Sequence, residues 1–176
     1  MKQSLVTHLF IALLLLLGTA SAQSQSLSQS NVNMYIKSIS MLVNSENQEI
    51  KAIEESLSNS RSINFDTDEN GDIKIMSQML AQLNNIHTKA LSKVVKDAGF
   101  DSLKQWASIG DKVSAALMAI EIEKEPVDMS ELTPEMMEMV PESMRQQMQG
   151  AMRMIKAAQK VPADDIAIVK TNFDDL

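Results

Sequence analysis

The pattern with the most specific chemistry is an acidic loop near residue 70. Its oxygen-bearing side chains fall at positions one, three, five and seven of an EF-hand calcium loop, and Gly71 stands at the required position six. Calcium prefers several oxygen ligands close together, which makes this set the candidate metal ligands: Asp66, Asp68, Asn70 and Asp72. The second half departs from the pattern, because Lys74 stands at position nine and Ser77 replaces the bidentate Glu of position twelve.

The same stretch also has the alternation of a β-hairpin. Apolar residues alternate before and after a Glu-Asn-Gly tip, at Ile63, Phe65, Ile73 and Ile75. With Gly71 in the left-handed conformation of a three-residue loop, Phe65 faces Ile75 and Asp66 faces Lys74. We therefore expect a small hairpin or loop near residues 63–75. A weak calcium site at 66–77 is an alternative that can coexist with it.

Methionine is the second candidate for site chemistry. The chain has 14 methionines, and eight of them lie between Met129 and Met154. Thioether sulfurs bind Cu(I), so copper handling is one alternative. Their helical spacing instead favours a buried helix face, or an adaptable apolar surface that binds other proteins. The candidate interaction face consists of Met137, Met144, Met148 and Met152.

Charges in the same region are segregated along the chain. Residues 121–142 carry eight acidic side chains and one Lys, whereas residues 143–160 carry four basic side chains and no acidic one. Two helices that complement each other explain this pattern. The alternative is an acidic surface that docks a basic partner.

The composition supports few catalytic chemistries. The chain has no Cys, and His87 is the only histidine after the N-terminal segment. The sequence contains neither a nucleophile elbow nor a Gly-rich phosphate loop. A net charge of −7 argues against nucleic acid as a partner, because phosphate binding needs clustered basic residues. We expect no catalytic residue and no cofactor other than calcium, with a hydrolase that uses two carboxylates as the residual alternative.

The N-terminus has the three-part layout of a secretory signal peptide. Lys2 gives a positive start, an apolar run ends in five leucines at Leu17, and Ala20-Ser21-Ala22 is a small-residue cleavage pattern. The apolar run is shorter than the roughly 20 residues that span a membrane. We expect residues 1–22 to be removed on export to the periplasm, or on secretion, and residues 23–30 to be a flexible polar leader. No later stretch of the sequence is apolar enough to span a membrane.

The remainder, residues 31–176, has the apolar periodicity of helices. It predicts one all-α domain of about six helices. Gly99 ends one long helix, and Asp101 or Ser102 caps the next. Gly110 marks a close helix crossing or a bend. The main predicted helices cover about 31–43, 48–57, 73–98, 103–123, 141–159 and 162–173.

One run resembles a signature of small exported helical proteins of proteobacteria. It has the form Gly-Phe-x-Ser-x-x-x-Trp-x-x-x-Gly-Asp and extends from Gly99 to Asp111. The closing segment Pro162–Val169 also fits, so the resemblance covers about residues 90–172. This uncharacterised family has no assigned activity. The resemblance implies export and a helical fold, and it implies no function.

The most concrete expectation for function is a non-enzymatic interaction module. It would bind another envelope protein, or unfolded clients in the manner of a chaperone, through the methionine-rich face. Leu132-Thr133-Pro134-Glu135 starts like the Leu-Thr-x-x-Gln motif of periplasmic stress chaperones, but Met136 stands where Gln belongs. The alternative is metal binding, through the acidic loop or the methionines.

Overall fold

A computed structural model describes residues 26–59, 67–125 and 140–173. These residues form seven helices and no strand, which confirms the all-α prediction. In chain order the helices are α1 Gln29–Val43, α2 Gln48–Asn59, α3 Ile75–Gln82, α4 Asn85–Ala98, α5 Leu103–Lys124, α6 Glu142–Ala158 and α7 Ala163–Phe173. The predicted signal peptide 1–22 and the Leu132–Met136 segment lie outside the described residues.

Helix α5 is the centre of the fold. It packs against α1, α3, α4, α6 and α7. Because neighbours surround it, its buried residues are not confined to one stripe, and small residues alternate with large ones. Its buried residues are Trp106, Ala107, Ile109, Gly110, Asp111, Val113, Ala116, Ala119 and Ile120.

The predicted helix over 73–98 is wrong in two respects. It is divided between Gln82 and Asn85, where Asn84 accepts the N–H of His87 and caps α4. It also begins at Ile75 rather than near Ile73, because Ile73 pairs with Thr67 in the preceding loop. This division gives a seventh helix.

The predicted flexible leader 23–30 is wrong at its C-terminal end. Leu27 is only 4% exposed, and its N–H donates to the buried Asp165 carboxylate at 2.7 Å. Ser28 then caps α1 by accepting the N–H of Asn31. One apolar side chain within a polar stretch is therefore enough to order it, because α7 supplies both a carboxylate and an apolar surface.

The corner between α4 and α5 explains three residues of the exported-protein signature. Gly99 adopts a φ of +116°, and its N–H donates to Lys96 O at 2.9 Å. The next N–H, of Phe100, donates to Val95 O at 3.1 Å, which completes a Schellman ending. Phe100 is buried beside the core, and Ser102 caps α5 through Gln105 N.

The described helices include none that is both long enough and apolar enough to cross a membrane.

Candidate functional site

An open groove of about 360 Å³, lined by apolar side chains, lies on the described surface. Its sides come from the C-terminal half of α1, from α2 and from α3, and its floor includes Leu91 of α4 and Trp106 of α5. Val43 stands at the mouth with 78% of its surface exposed. The lining residues are Ile39, Leu42, Val43, Ile50, Ile53, Met76, Met79, Leu80, Leu83, Leu91 and Trp106.

Helix α3 supplies three of these side chains, with Leu83 directly after its end, and a buried carboxylate from α5 fixes its position. Asp111 Oδ1 accepts the backbone N–H groups of Met76 at 2.7 Å and of Ser77 at 3.1 Å. These are N–H groups that a helix start cannot satisfy by itself, and Lys74, at the cap position, offers no side-chain acceptor. The cap of α3 is thus a residue 35 positions away in sequence.

Gly110 allows α3 and α1 to approach α5 closely. A Cβ at this position would lie 2.7 Å from Met76 Cγ and 2.8 Å from Tyr35 Cε2, which is inside van der Waals contact. The expectation of a close crossing at Gly110 is therefore confirmed. Met76 reaches the groove because no side chain at position 110 stands in its way.

The indole N–H of Trp106 has its hydrogen-bond acceptor outside the groove. Its Nε1–H donates to Ser38 Oγ at 2.8 Å, and the Ser38 hydroxyl donates to Tyr35 O at 2.6 Å. The rings of Tyr35 and Trp106 lie 6.0 Å apart, tilted by 34°. Burial, with a smaller contribution from the negative charge of Asp111, raises the pKa of Tyr35 to about 12. Each of the six fixed residues of the run from Gly99 to Asp111 therefore has a structural role: Gly99, Phe100, Ser102, Trp106, Gly110 and Asp111.

The groove is suited to binding and not to catalysis. None of its lining side chains is a nucleophile or titrates near neutral pH, and the indole N–H of Trp106 is already used. Met76 and Met79 are flexible and polarisable, so they can adapt to different apolar partners. His87 lies outside the groove, in the first turn of α4.

A second pocket, of about 290 Å³, has a mixed polar lining. It lies between the loop at residues 70–74, α5 and the turn from α6 to α7. Its charged residues are Asp72, Lys74, Asp111, Lys112, Lys160 and Asp165. Burial is the main cause that lowers the pKa of Lys112. Two carboxylates of this lining accept backbone N–H groups: Asp111 accepts two and Asp165 accepts one.

The loop of the proposed calcium ligands has the hairpin register that the sequence predicts. Thr67 and Ile73 form an antiparallel bridge, which is in register with the predicted pairs, and Gly71 has a φ of +81°. Ile75 already belongs to α3, so the second limb is short. Asp66 lies outside the described residues, so its predicted position opposite Lys74 stays a prediction.

Within this loop the acidic side chains have other partners. Asp68 Oδ1 accepts the N–H groups of Asn70 and Asp72, each at 2.9 Å, and these bonds are the main cause that lowers the pKa of Asp68. Lys74 Nζ lies 3.7 Å from Asp68 and 3.8 Å from Asp72. The described part of the chain contains no group of three or more His, Asp or Glu side chains placed to hold a metal ion. Calcium binding stays a prediction.

The candidate methionine face lies apart from this loop. Met144 is 53% exposed, and Met148 and Met152 are partly exposed on the same helix, α6. Met137 lies outside the described residues. The residues of α6 that are buried form a different stripe, Gly150, Met154 and Ala158. The structure therefore brings three of the four predicted face residues together and leaves them outside the core.

Comparison of the chain with family models, with curated proteins and with solved structures finds no match.

Sequence reasoning missed the groove although it identified most of its residues. Six of them recur at helical spacing within the predicted helices over 31–43, 48–57 and 73–98, and this periodicity is the signal that finds them: Ile39, Leu42, Ile50, Ile53, Leu80 and Leu83. Periodicity predicts which face of a helix is apolar. It does not predict that three apolar faces leave a groove between them.

Proposed function

We propose that the protein is a non-enzymatic binding module that holds an apolar helical segment of another protein in the groove between α1, α2 and α3. The observation that carries this proposal is an open groove lined by apolar side chains. A groove of this size and composition is typical of a surface that removes apolar side chains from water.

The lining favours a helix as the occupant over an extended strand. An extended peptide needs partners for its backbone N–H and C=O groups, and burying them without partners is unfavourable. The groove lining offers no side chain for such bonds, since its one polar hydrogen, on Trp106 Nε1, is given to Ser38. A helix satisfies its own backbone and presents apolar side chains at helical spacing, the mode known as helix-in-groove binding.

The methionines of the groove favour several partners or a chaperone-like role. Met76 and Met79 line the groove, and methionine-lined surfaces can repack around different side chains.

The predicted signal peptide 1–22 supports a place in the cell envelope, with the periplasm first and secretion second. The partners would then be envelope proteins or clients exposed during export.

The proposal is tested with a synthetic amphipathic peptide that carries Leu and Lys at helical spacing, beside a scrambled peptide of the same composition. Trp106 is the only Trp of the chain and lies on the groove floor, so its fluorescence reports occupancy. We expect the helical peptide to bind and the scrambled peptide to bind much more weakly.

Two matched substitutions locate the binding. Val43→Glu places a charge at the mouth of the groove, whereas Ile86→Glu makes the same change at a residue that is 63% exposed and does not line it. We expect Val43→Glu to weaken peptide binding by about tenfold or more and Ile86→Glu to leave it unchanged. Equal loss in both variants, or equal binding of both peptides, would refute the proposal.

A further inference from the structure

Helix α6 carries a second apolar stripe that the core does not use. At about 100° per residue, Met144, Met148, Met152 and Ile155 fall within one quarter of the helix circumference. The centre of this quarter lies about 120° around the helix from the centre of the buried stripe of Gly150, Met154 and Ala158. Met144 is exposed and the other three are partly exposed.

The spacing of this second stripe is that of a helix that docks into a groove. Intervals of four, four and three residues separate Met144, Met148, Met152 and Ile155. Such anchors lie on one side of the helix over three turns. The stripe therefore has the geometry of the occupant that the groove requires.

Charge makes α6 and the groove complementary. Near the C-terminal end of the methionine stripe, α6 and the turn that follows it present two exposed cations, Lys156 and Lys160. Next to the lining residues Val43 and Ile50, the turn between α1 and α2 presents the exposed Glu46, and the first turn of α2 presents the exposed Glu49. A basic helix and an acidic groove edge attract each other and fix the direction of docking.

We propose that the groove of one copy binds the second stripe of α6 from another copy of this chain, so that the protein associates with itself. This inference rests on the proposed function, because it names one occupant of the same groove. Each copy carries both surfaces. Two copies related by a twofold axis can each place the α6 stripe in the groove of the other, which closes the assembly as a dimer. Self-association then competes with partner binding and covers the groove while no partner is present.

The experiment is a complementation between two surface variants of the full-length mature protein, followed by sedimentation velocity. Val43→Glu blocks the groove and leaves the stripe of α6 intact, whereas Met144→Glu blocks the stripe and leaves the groove intact. Both positions are more than half exposed, so neither substitution disturbs the core. Gln149→Glu, at an exposed position of α6 outside the stripe, controls for the added charge.

We expect the wild type and Gln149→Glu to form dimers at micromolar concentrations and each blocked variant alone to be a monomer. An equal mixture of the two blocked variants should form a one-to-one pair, because one intact groove then meets one intact stripe. A photoreactive group at position 144 should crosslink to α1 or α3 of the other copy.

Three results overturn the inference: a monomeric wild type, a dimer that both blocked variants retain, or a mixture that stays monomeric. A monomeric wild type that still binds the Leu/Lys peptide, with loss in Val43→Glu, keeps the proposed function and identifies a foreign helix as the occupant. A protein that dimerises as expected but binds no peptide keeps the self-association and rejects the role in binding other proteins.

Discussion

Asp111 on α5 caps α3 through Ser77, whose N–H it accepts at 3.1 Å and whose hydroxyl it accepts at 2.5 Å. The two residues are 34 positions apart, and the carboxylate is 3% exposed. Since α3 forms a side of the groove, this contact connects the core of the protein to its candidate binding site.

Replacing the Asp111 carboxylate should loosen α3 more than the rest of the fold. In Asp111→Ala the N–H groups of Met76 and Ser77 lose their acceptor, and we expect the free energy of unfolding to fall by about 3 kcal/mol. Hydrogen exchange should accelerate first in residues 75–82. Asp101→Ala, at an exposed position, is the control. Unchanged exchange in α3 would contradict the role of the cap.

Tyr35 should make the protein sensitive to alkali. A phenol that titrates near 10 when unfolded and at about 12 when folded stabilises the fold below pH 10, and this contribution is lost as the pH rises from 10 to 12. The loss amounts to about 3 kcal/mol. Tyr35 is the only Tyr of the chain, so phenolate absorbance follows it directly.

The control for this pH dependence is Tyr35→Phe, which keeps the ring and removes the titrating group. Its unfolding free energy should decline less between pH 10 and pH 12 than that of the wild type. Absorbance that titrates near pH 10 in the folded protein would show that the phenol is hydrated, against its burial.

Trp106→Ala should cost roughly 3–5 kcal/mol of unfolding free energy, as large-to-small changes in a core do. The side chain is 4% exposed, belongs to the core and forms part of the groove floor. Ser38→Ala should cost about 1–3 kcal/mol, because the buried indole N–H then has no acceptor. A melting temperature that Trp106→Ala leaves unchanged would mean that the indole is an exposed binding residue.

Calcium should leave the melting temperature of the wild type unchanged. Asp68 Oδ1 is engaged by two backbone N–H groups, and the Lys74 cation lies near the Asp68 and Asp72 carboxylates. If calcium did bind, a hundredfold excess over the dissociation constant would add about 2.7 kcal/mol of stability. A rise in melting temperature with calcium that disappears in Asp68→Ala would establish the calcium alternative. The same melts with Cu(I) test the methionines.

Local sequence rules predicted much of the fold correctly. Gly99 ends α4, Ser102 caps α5, Pro162 precedes α7, and the loop around Gly71 has the predicted register. These features depend on a few neighbouring residues, whose backbone preferences are the same in any fold.

The amino-acid sequence by itself determined the fold class and most helix ends, since periodicity and capping act within about one helical turn. Tertiary structure alone decided three things. It ordered Leu27 through Asp165, it capped α3 with Asp111, and it left the stripe of Met144, Met148 and Met152 outside the core. Each depends on residues far apart in the chain, and an apolar stripe has the same periodicity whether it packs inside the protein or lies on its surface.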